Sequence, residues 1–264
     1  MGGERKYNVD DDFFENESYE KYWLIGLLAS DGSVRHNQIS LSQSGEHGRD
    51  MVEYVKRLLK ADAPMYKSKT TCQDSFSIQI SSEKIVRDLS FYNISENKTL
   101  TYKMPYIPDQ YLASFIAGYV EGDGCITLIN PDKNRKYKYL HTSFVGTEAF
   151  MRACYEKIPI RGKFKKHSQS SVYEIRYDGQ KAVNFCDWIY QSNNLYHGRK
   201  YDIYLQGKSL FENSRKERYK KIKASVLSDL RDGVEDIMKY SKTIEIPFQT
   251  IYSWKKKWIT EGLL

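Results

Sequence analysis

The sequence predicts an α+β fold built from two copies of one structural unit. Two observations carry this prediction: a nine-residue apolar segment ending in Asp-Gly occurs twice, and a similar order of helices and strands follows each copy. The segments span residues 24–32 and 116–124 and align without a gap at a separation of 92 residues. We therefore expect two related halves within one chain.

Hydrophobic periodicity predicts helix, two strands, helix, two strands and helix in each half. Apolar residues at helical spacing alternate along the chain with short segments of period two, the pattern of half-exposed strands. The predicted helices are residues 19–29, 50–59, 83–89, 111–122, 148–158 and 180–191. The strand candidates include residues 38–42, 65–70, 76–80, 125–129, 137–145, 162–166 and 172–177.

Charge is unevenly spread along the 264 residues, which carry a formal net charge of +7. Residues 1–20 contribute −5, which disfavours a polyanionic partner at that end, whereas residues 207–264 contribute +5. Basic surfaces suit a phosphate-bearing partner. We divide the chain into an acidic segment (1–18), a first half (19–108), a second half (109–206) and a basic extension (207–264).

Composition excludes several classes of protein. The apolar stretches fall short of the ~20 residues that a membrane-spanning helix requires, and no signal-like segment opens the chain. The four cysteines are too sparse for a disulfide scaffold, and the histidines lack the spacing of metal ligands. We expect a soluble intracellular protein without a zinc site.

Small residues recur four positions apart in each apolar segment, a spacing that places them on one helix face and permits close approach of two helix backbones. The pairs are Gly26 with Ser30 and Gly118 with Gly122. Packing of these two helices would bring Asp31 and Asp123 side by side at the helix ends. Two adjacent carboxylates repel each other unless a cation lies between them, and oxygen ligands suit Mg²⁺.

On these residues the sequence resembles the LAGLIDADG homing endonucleases in their monomeric form with two motifs, over roughly residues 19–206. The resemblance implies two pseudo-symmetric αββαββα halves joined through paired motif helices, with two antiparallel sheets forming a saddle over DNA. It further implies an intron-encoded, site-specific endonuclease that cuts both strands of a long DNA target and leaves short 3′ overhangs. The first motif departs from the family pattern at Ala29, where an acidic residue often contributes to helix capping and packing.

The resemblance also implies the metal ligands and their partners. Asp31 and Asp123 would bind catalytic Mg²⁺ or Mn²⁺, with the carbonyl groups of Ser30 and Gly122 as auxiliary ligands. A basic residue in each half would neutralise the phosphate in the transition state or orient water. Lys98 and Lys200 match that position, although Arg199 competes with Lys200.

Gln43 resembles the family's polar residue that contacts the water network around the metal. The second half offers Gly146 and Thr147 at the corresponding place, so this feature of the site is asymmetric. The asymmetry is expected if the halves diverged after duplication, and slower cutting of one strand is an alternative consequence.

Base recognition is expected from strand side chains that alternate with core residues and point outward. The candidates in the first half are Arg35, Gln38, Ser40, Ser42, Lys67, Lys69, Ser75, Ser77 and Gln79. The candidates in the second half are Lys136, Lys138, His141, Ser143, Lys163, Lys165, Glu174 and Arg176. A register error of one residue would move each set to the opposite face.

The basic extension resembles a helix-turn-helix, with helices over residues 233–240 and 248–259. In that arrangement Gln249, Thr250, Ser253 and Lys256 would face a DNA groove. A basic linker would track the DNA backbone through Arg215, Lys216, Arg218, Lys220 and Lys221. An amphipathic helix that docks on the core is the alternative.

Three functions remain open on the sequence alone. A monomeric endonuclease acting on double-stranded DNA is favoured, because both motif aspartates are present. An intron maturase that binds intron RNA and a regulator that binds DNA without cutting it are the alternatives.

Overall fold

The computed structural model describes residues 6–69, 73–130, 138–167, 171–192 and 195–264, without the side chains of residues 214–216. The chain divides into two compact units, Met1–Lys208 and Ser209–Leu264. The first unit contains both of the predicted halves. The second unit contains most of the basic extension.

The first half follows the predicted order of elements. Its helices and strands are α1 (Tyr19–Ser30), β1 (Gly32–Arg35), β2 (Gln38–Ser44), α2 (Gly45–Leu58), β3 (Tyr66–Lys69), β4 (Asp74–Ser81) and α3 (Glu83–Ser90), followed by a 3₁₀ turn at Lys98–Leu100. Ser18 caps α1 and Ser82 caps α3, each by accepting a hydrogen bond from a backbone N–H of the first turn.

The second half repeats this order. Its elements are α4 (Asp109–Asp123), β5 (Gly124–Ile129), β6 (Tyr139–Gly146), α5 (Glu148–Lys157), β7 (Lys163–Lys166), β8 (Tyr173–Asp178) and α6 (Gln180–Ile189). Thr147 caps α5 in the same way as the serines of the first half. The duplication predicted from the sequence is therefore present in the structure.

Each half forms one antiparallel four-stranded sheet within the described residues, with strand orders β1-β2-β4-β3 and β5-β6-β8-β7. The register is equivalent in the two sheets: Gly32 pairs with Leu41, and Gly124 pairs with Phe144. Helices α2 and α5 each pack on the two middle strands of their own sheet. Apolar strand residues are buried under these helices, and the alternate residues form the opposite face.

Helices α1 and α4 lie against each other between the two halves. All residues of α1 from Lys21 to Ala29 are buried. The residues of α4 from Leu112 to Glu121 are buried as well. A helix that is apolar around most of its circumference belongs inside a protein. The two motif helices are thus the centre of the first unit.

The acidic N-terminal segment is paired with basic residues of the first half. Asp10 accepts a hydrogen bond from Lys60 Nζ at 2.8 Å, and Lys84 Nζ lies 3.1 Å from Asp12 and 2.5 Å from Glu15. These exposed pairs contribute little stability individually. They do neutralise part of the negative charge at this end.

The second unit has its own apolar core. It comprises the C-terminal part of helix α7 (Arg199–Arg231), a short helix α8 (Ile237–Thr243) and helix α9 (Phe248–Thr260). Val226, Leu230, Ile251, Trp254 and Trp258 form its buried cluster. The aromatic stripe of α9 is therefore core.

Two helices start far from the predicted positions, which were residue 50 for α2 and residue 233 for α8. Helix α2 begins at Gly45, five residues before the predicted start, because its first turn is mainly exposed and lacks the apolar period that marks a helix. Helix α8 begins at Ile237, where the Asp236 carboxylate accepts a hydrogen bond from the Lys239 N–H at 2.9 Å. Gly233 precedes it with a φ of +100°, which suits a residue after a helix end.

The predicted basic linker is also wrong, since this segment belongs to helix α7. The run consists mainly of lysine and arginine and contains no proline or glycine, so its residues favour a helix. Glu217 and Lys220 form an ion pair one turn apart at 3.3 Å. The side chains of Arg215 and Lys216 lie outside the description.

Among the described residues, no helix combines the length and the apolar character needed to cross a membrane.

Candidate active site

Glycines set the distance between the two motif helices. A Cβ added to Gly26 would lie 2.0 Å from the carbonyl oxygen of Phe115, and one added to Gly118 would lie 1.8 Å from that of Trp23. Both distances are far below van der Waals contact, and the obstructing atoms are backbone atoms that cannot rotate away. The helices therefore touch through their backbones, as the small-residue spacing predicted.

This contact brings the ends of the two motifs together. A Cβ on Gly122 would lie 2.1 Å from Ser30 Oγ and 2.9 Å from the carboxyl carbon of Asp31. Asp31 caps the C-terminal end of α1, and Asp123 is the last residue of α4. Both aspartates have exposed surface, so their carboxylates are accessible from outside.

The pKa of Asp123 is raised from its ordinary value. The main cause is partial removal of water by the surrounding protein, and the second is the negative charge of Asp31. Lys98 and Lys200 act in the opposite direction. The Asp31 carboxylate is therefore close enough to Asp123 to raise the pKa of Asp123.

Lys98 is buried beside the pair of aspartates. Its ammonium group donates a hydrogen bond to the carbonyl oxygen of Gly32 at 2.5 Å. Burial lowers its pKa, and the negative charges of Asp123 and Asp31 oppose that shift. This cation at the C-terminal end of α1 also interacts favourably with the helix dipole.

Lys200 occupies the equivalent place in the second half. It donates to the carbonyl oxygens of Val120 at 2.7 Å, Glu121 at 2.6 Å and Gly122 at 3.3 Å. Burial lowers its pKa, while the charges of Glu121 and Asp31 oppose the shift. Both predicted lysines therefore lie at the carboxylate pair.

Gln43 lies in β2 and reaches the first aspartate. Its amide nitrogen donates to Asp31 Oδ2 at 2.6 Å. It also lines a cavity of 290 Å³ beside the site, together with His47, Gly122, Arg199 and Lys200. Arg199 and Lys200 thus both face the same accessible space.

Glu121 is a site residue to which the sequence analysis gave no role. Its side chain is 5% exposed, and burial raises its pKa to about 7 against the opposing charges of Lys200 and Arg199. The signal in the sequence was an acidic residue inside an otherwise apolar helix. The corresponding residue of the first motif is Ala29, so only the second half has this buried acid.

The donor atoms at the helix ends fit a hard divalent cation. Two carboxylates that repel each other, one with a raised pKa, supply the oxygen ligands that Mg²⁺ or Mn²⁺ prefers. The Gly122 carbonyl group lies beside the two carboxylates. Ser30 also lies beside them, and its hydroxyl donates a hydrogen bond to the carbonyl oxygen of Leu27 at 2.9 Å. No cluster of three or more acidic, histidine or cysteine side chains suited to a metal occurs in the described parts of the chain, so water and substrate oxygens would have to complete the coordination.

Most predicted DNA-contacting side chains have exposed surface. Lys67 and Lys69 lie on the edge strand β3 opposite Phe76 and Asp74, so the register places them on the helix-covered side of the first sheet, and the prediction of an outward face was wrong for both. The exposed ones are Arg35, Ser42, Lys67, Lys69, Gln79, Lys138, Lys163 and Lys165. The half-buried ones are Gln38, Ser40, Ser77, His141 and Arg176. Lys136 lies outside the described residues.

The prediction of free outward side chains was wrong for Ser75, Ser143 and Glu174, which are each at most 9% exposed. Neighbours on the same face cover them: Ser75 Oγ lies 3.0 Å from Ser42 Oγ, and Lys165 Nζ lies 3.0 Å from a Glu174 carboxylate oxygen. Alternation identifies the face of a strand residue but not the neighbours that cover it.

Acidic residues hold some basic side chains of the second sheet. Asp178 accepts hydrogen bonds from Arg176 Nε at 3.1–3.2 Å, and His141 Nδ1 lies 2.9 Å from its Oδ1. Lys163 Nζ is 3.7 Å away from the same carboxylate. These side chains are therefore oriented before any ligand binds.

The side chains predicted to face a DNA groove lie on helix α9 of the second unit. Gln249, Ser253 and Lys256 are exposed on α9, and Thr250 is half-buried. The turn before α9 contains Glu245 with a φ of +54°. In the basic part of α7, Arg218, Lys220 and Lys221 are exposed.

No protein-family model matches the sequence. A curated relative, reverse gyrase from Thermococcus kodakarensis, is 23% identical over 199 residues, which are 73% of this chain and 11% of that much longer protein. The chain thus corresponds to a small part of this relative.

Solved structures of homing endonucleases are similar to this chain. The meganuclease I-SmaMI, crystallised on uncleavable DNA, has a TM-score of 0.57 at 15% identity, covering 78% of this chain and 93% of that one. The LAGLIDADG meganuclease I-AabMI on uncleaved DNA gives 0.51 at 12% identity, covering 74% and 91%. I-GzeII with its DNA target gives 0.55 at 10% identity, covering 76% and 92%. The predicted fold is confirmed.

Proposed function

We propose that this chain, which has the fold of the LAGLIDADG homing endonucleases, is a site-specific endonuclease that makes a metal-dependent double-strand break in DNA. The observation that carries the proposal is the meeting of Asp31 and Asp123 at the ends of two helices that touch through their glycines. If these helix ends only held the fold together, they would not require two carboxylates that repel each other and are accessible from outside.

The chemistry follows from the side chains around these carboxylates. A Mg²⁺ or Mn²⁺ ion bound there would supply a Lewis acid next to a scissile phosphate. Asp31 and Asp123 provide the negative charge that holds such an ion. Lys98 and Lys200 supply positive charge close to the phosphate, where charge develops as water attacks phosphorus and the P–O bond breaks.

The duplication explains why two strands would be cut. Each half contributes one aspartate and one buried lysine to the shared site, so each strand can meet a similar set of groups. Short 3′ overhangs are the outcome that the resemblance implies. The two sets differ at Gln43 and Glu121, so the rates for the two strands need not be equal.

DNA binding is the proposed role of the open sheet faces. Lys163 and Lys165 are exposed there, and lysine contacts to phosphate bind DNA through release of counterions. Arg176 and His141, held by Asp178, are suited to hydrogen bonds with base edges in the major groove. A long target follows from two sheets reading one duplex.

The second unit is proposed to bind DNA as a helix-turn-helix. Its core uses one face of α9, and Gln249, Ser253 and Lys256 remain exposed on the rest of that helix. Residues near the start of a recognition helix typically contact base edges. A second reader in the same chain raises the affinity through effective concentration.

The test is cleavage of sheared genomic DNA with Mg²⁺ and with EDTA, followed by sequencing of all new ends. We expect metal-dependent ends that cluster at one or a few loci and have matched 3′ overhangs. Asp31→Asn and Asp123→Asn should each abolish the double-strand break while binding is retained, because each change removes charge and little surface. New ends that persist in both variants would refute the assignment of the site.

Two alternatives are distinguished from the nuclease by this experiment together with binding assays on DNA and on structured RNA. Salt-sensitive binding to DNA without new ends would indicate a regulator, and tight binding of structured intron RNA would indicate a maturase. The accessible carboxylate pair favours the nuclease, because neither alternative requires it. We further propose that the protein acts as a soluble intracellular monomer, since both halves of the site lie in one chain.

A further inference from the structure

An acidic side chain on the open face of the second sheet holds an arginine of the same strand. Arg176 and Asp178 lie two residues apart in β8, so both side chains are on one face of the sheet. Arg176 Nε donates to Asp178 Oδ2 at 3.1 Å, and Arg176 Nη2 donates to Asp178 Oδ1 at 3.2 Å. The carboxylate therefore occupies the edge of the guanidinium group formed by Nε and Nη2.

The tip of this guanidinium group keeps its donors. An arginine side chain has five N–H groups, and Asp178 accepts from one on Nε and one on Nη2. Both N–H groups of Nη1 and one of Nη2 have no partner in the described part of the chain. The Arg176 side chain is 34% exposed. Its tip can therefore donate two parallel hydrogen bonds to a ligand on this face.

Asp178 is itself held by groups from two other strands. His141 Nδ1, in β6, lies 2.9 Å from Asp178 Oδ1, and Lys163 Nζ, in β7, lies 3.7 Å from Asp178 Oδ2. A carboxylate held from several sides restricts the orientation of the arginine that it binds.

The first sheet has uncharged residues at the equivalent positions. The two sheets share one register, and Gln38 pairs with Ser81 where His141 pairs with Asp178. Gln38 Nε2 donates to Ser81 Oγ at 3.4 Å, a long contact between neutral groups. The equivalent of the acidic residue is therefore a serine.

Gln79 stands in the place of Arg176. It lies two residues before Ser81, as Arg176 does before Asp178, and its side chain is exposed. The two sheets thus present different donors at matched places, an exposed amide in the first half and a restrained guanidinium group in the second.

We propose that Asp178 is a positioning residue that fixes Arg176 to contact a guanine base in the half of the DNA target bound by the second sheet. This inference rests on the proposed nuclease function. Guanine presents two adjacent acceptors in the major groove, O6 and N7, and the tip of a guanidinium group can donate to both. Adenine and cytosine present an amino group there, and thymine presents one acceptor beside a methyl group. None of these three bases can accept both hydrogen bonds.

The carboxylate increases selectivity at a cost in general affinity. An unrestrained arginine can turn to a phosphate, and phosphate contacts carry no sequence information. The negative charge of Asp178 also repels the phosphates of any DNA on this face. An acidic residue at this position therefore weakens binding to DNA in general and favours one base.

The test measures binding of the full chain, in EDTA, to its cleavage target with each of the four bases at every position. We expect the wild type to prefer guanine at one position of one half-site by about tenfold or more, the discrimination of one bidentate contact. Arg176→Gln should remove this preference. Asp178→Ser, which copies the first half, should remove most of it while the affinity for other sequences stays the same or rises.

Glu174→Ser is the matched control. It removes an equal charge from the same strand and face, and serine is again the residue of the first half, at Ser77. Glu174 holds Lys165, with 3.0 Å between Lys165 Nζ and a carboxylate oxygen, so its loss should leave the guanine preference in place. Equal loss of the preference in Glu174→Ser and Asp178→Ser, or no loss in Asp178→Ser, would overturn the inference.

A transplant of the pair into the first sheet gives a readout that misfolding cannot mimic. Gln79→Arg combined with Ser81→Asp should create a guanine preference in the other half-site, at the same distance from the centre of the target. A double variant that binds the target without this new preference contradicts the proposal. A wild type that cuts no DNA refutes the proposed function and this inference with it, whereas a wild type that cuts its target without the guanine preference refutes this inference alone.

Discussion

Gln43 donates a hydrogen bond to Asp31 at 2.6 Å, although one residue lies in β2 and the other caps α1. The contact depends on strand register, because β2 is fixed by its pairing with β4, where Gln43 lies opposite Phe76. A slip of one residue would turn Gln43 to the other face of the sheet. The geometry at the first aspartate is therefore set by the fold of the sheet as well as by the motif.

The backbone contact between α1 and α4 predicts that one methyl group added at Gly118 lowers the stability of the protein. Gly118→Ala should destabilise the first unit by roughly 2 kcal/mol or more, the range of severe overpacking, because the added Cβ would lie 1.8 Å from a backbone carbonyl oxygen. Urea unfolding followed by circular dichroism measures this loss. The control is Ser225→Ala at an exposed helix position, which should change stability little. A Gly118→Ala protein as stable as this control would contradict the close helix contact.

Removal of a buried cation should reduce cleavage. Lys98→Met is expected to slow single-turnover cleavage by about 100-fold, the cost of losing one preorganised charged donor. Binding of the target should change much less, since Lys98 is buried and cannot reach the outer phosphates. Lys103→Met changes an exposed lysine nearby and should cleave at the wild-type rate. Equal rates for the two variants would limit Lys98 to supporting the helix end.

Glu121 predicts a pH dependence of stability. Its pKa is raised from 4.5 to about 7 in the folded protein, so the folded state binds this proton more tightly than the unfolded state. The protonated Glu121 therefore makes its full contribution to the free energy of unfolding below about pH 4.5. This contribution, on the order of 3 kcal/mol, is lost as the pH rises to about 7. Glu121→Gln should remove this loss from the measured free energy of unfolding between these pH values. Glu156→Gln, at an exposed site, should leave the loss in place, and a Glu121→Gln profile parallel to the wild type would show that the acid is ionised when folded.

The proposed DNA contact of the second unit predicts that removal of a basic side chain from α9 changes the salt dependence of DNA binding. If Lys256 contacts a phosphate, Lys256→Gln should reduce the slope of log affinity against log salt by about 0.9. Lys157→Gln is the control, because Lys157 ends α5 on the covered side of the second sheet and should leave the slope unchanged. Fluorescence anisotropy over a range of salt concentrations measures both slopes. An unchanged slope for Lys256→Gln would indicate that α9 does not lie on the DNA.

Hydrophobic periodicity does not predict the helix in the basic segment. A run of like charges without an apolar period indicates a linker, yet this run belongs to α7 because its residues are strong helix formers. The first turn of α2 is also mainly exposed, so it too lacks an apolar period. Periodicity reports which residues are buried, so a helix that is exposed on all sides leaves no period.

The sequence by itself determined the duplication, the order of elements, the helix contact and the positions of both aspartates. These properties follow from the order and spacing of residue types along the chain, which can be read from the sequence without knowledge of the packing. The tertiary structure alone decided which side chains from distant elements surround each aspartate. Gln43 of β2 reaches Asp31, Glu121 is buried beside Lys200, and neighbours cover Ser143. The physical reason is that burial, pKa and the choice of hydrogen-bond partner depend on the packing of several elements around one point.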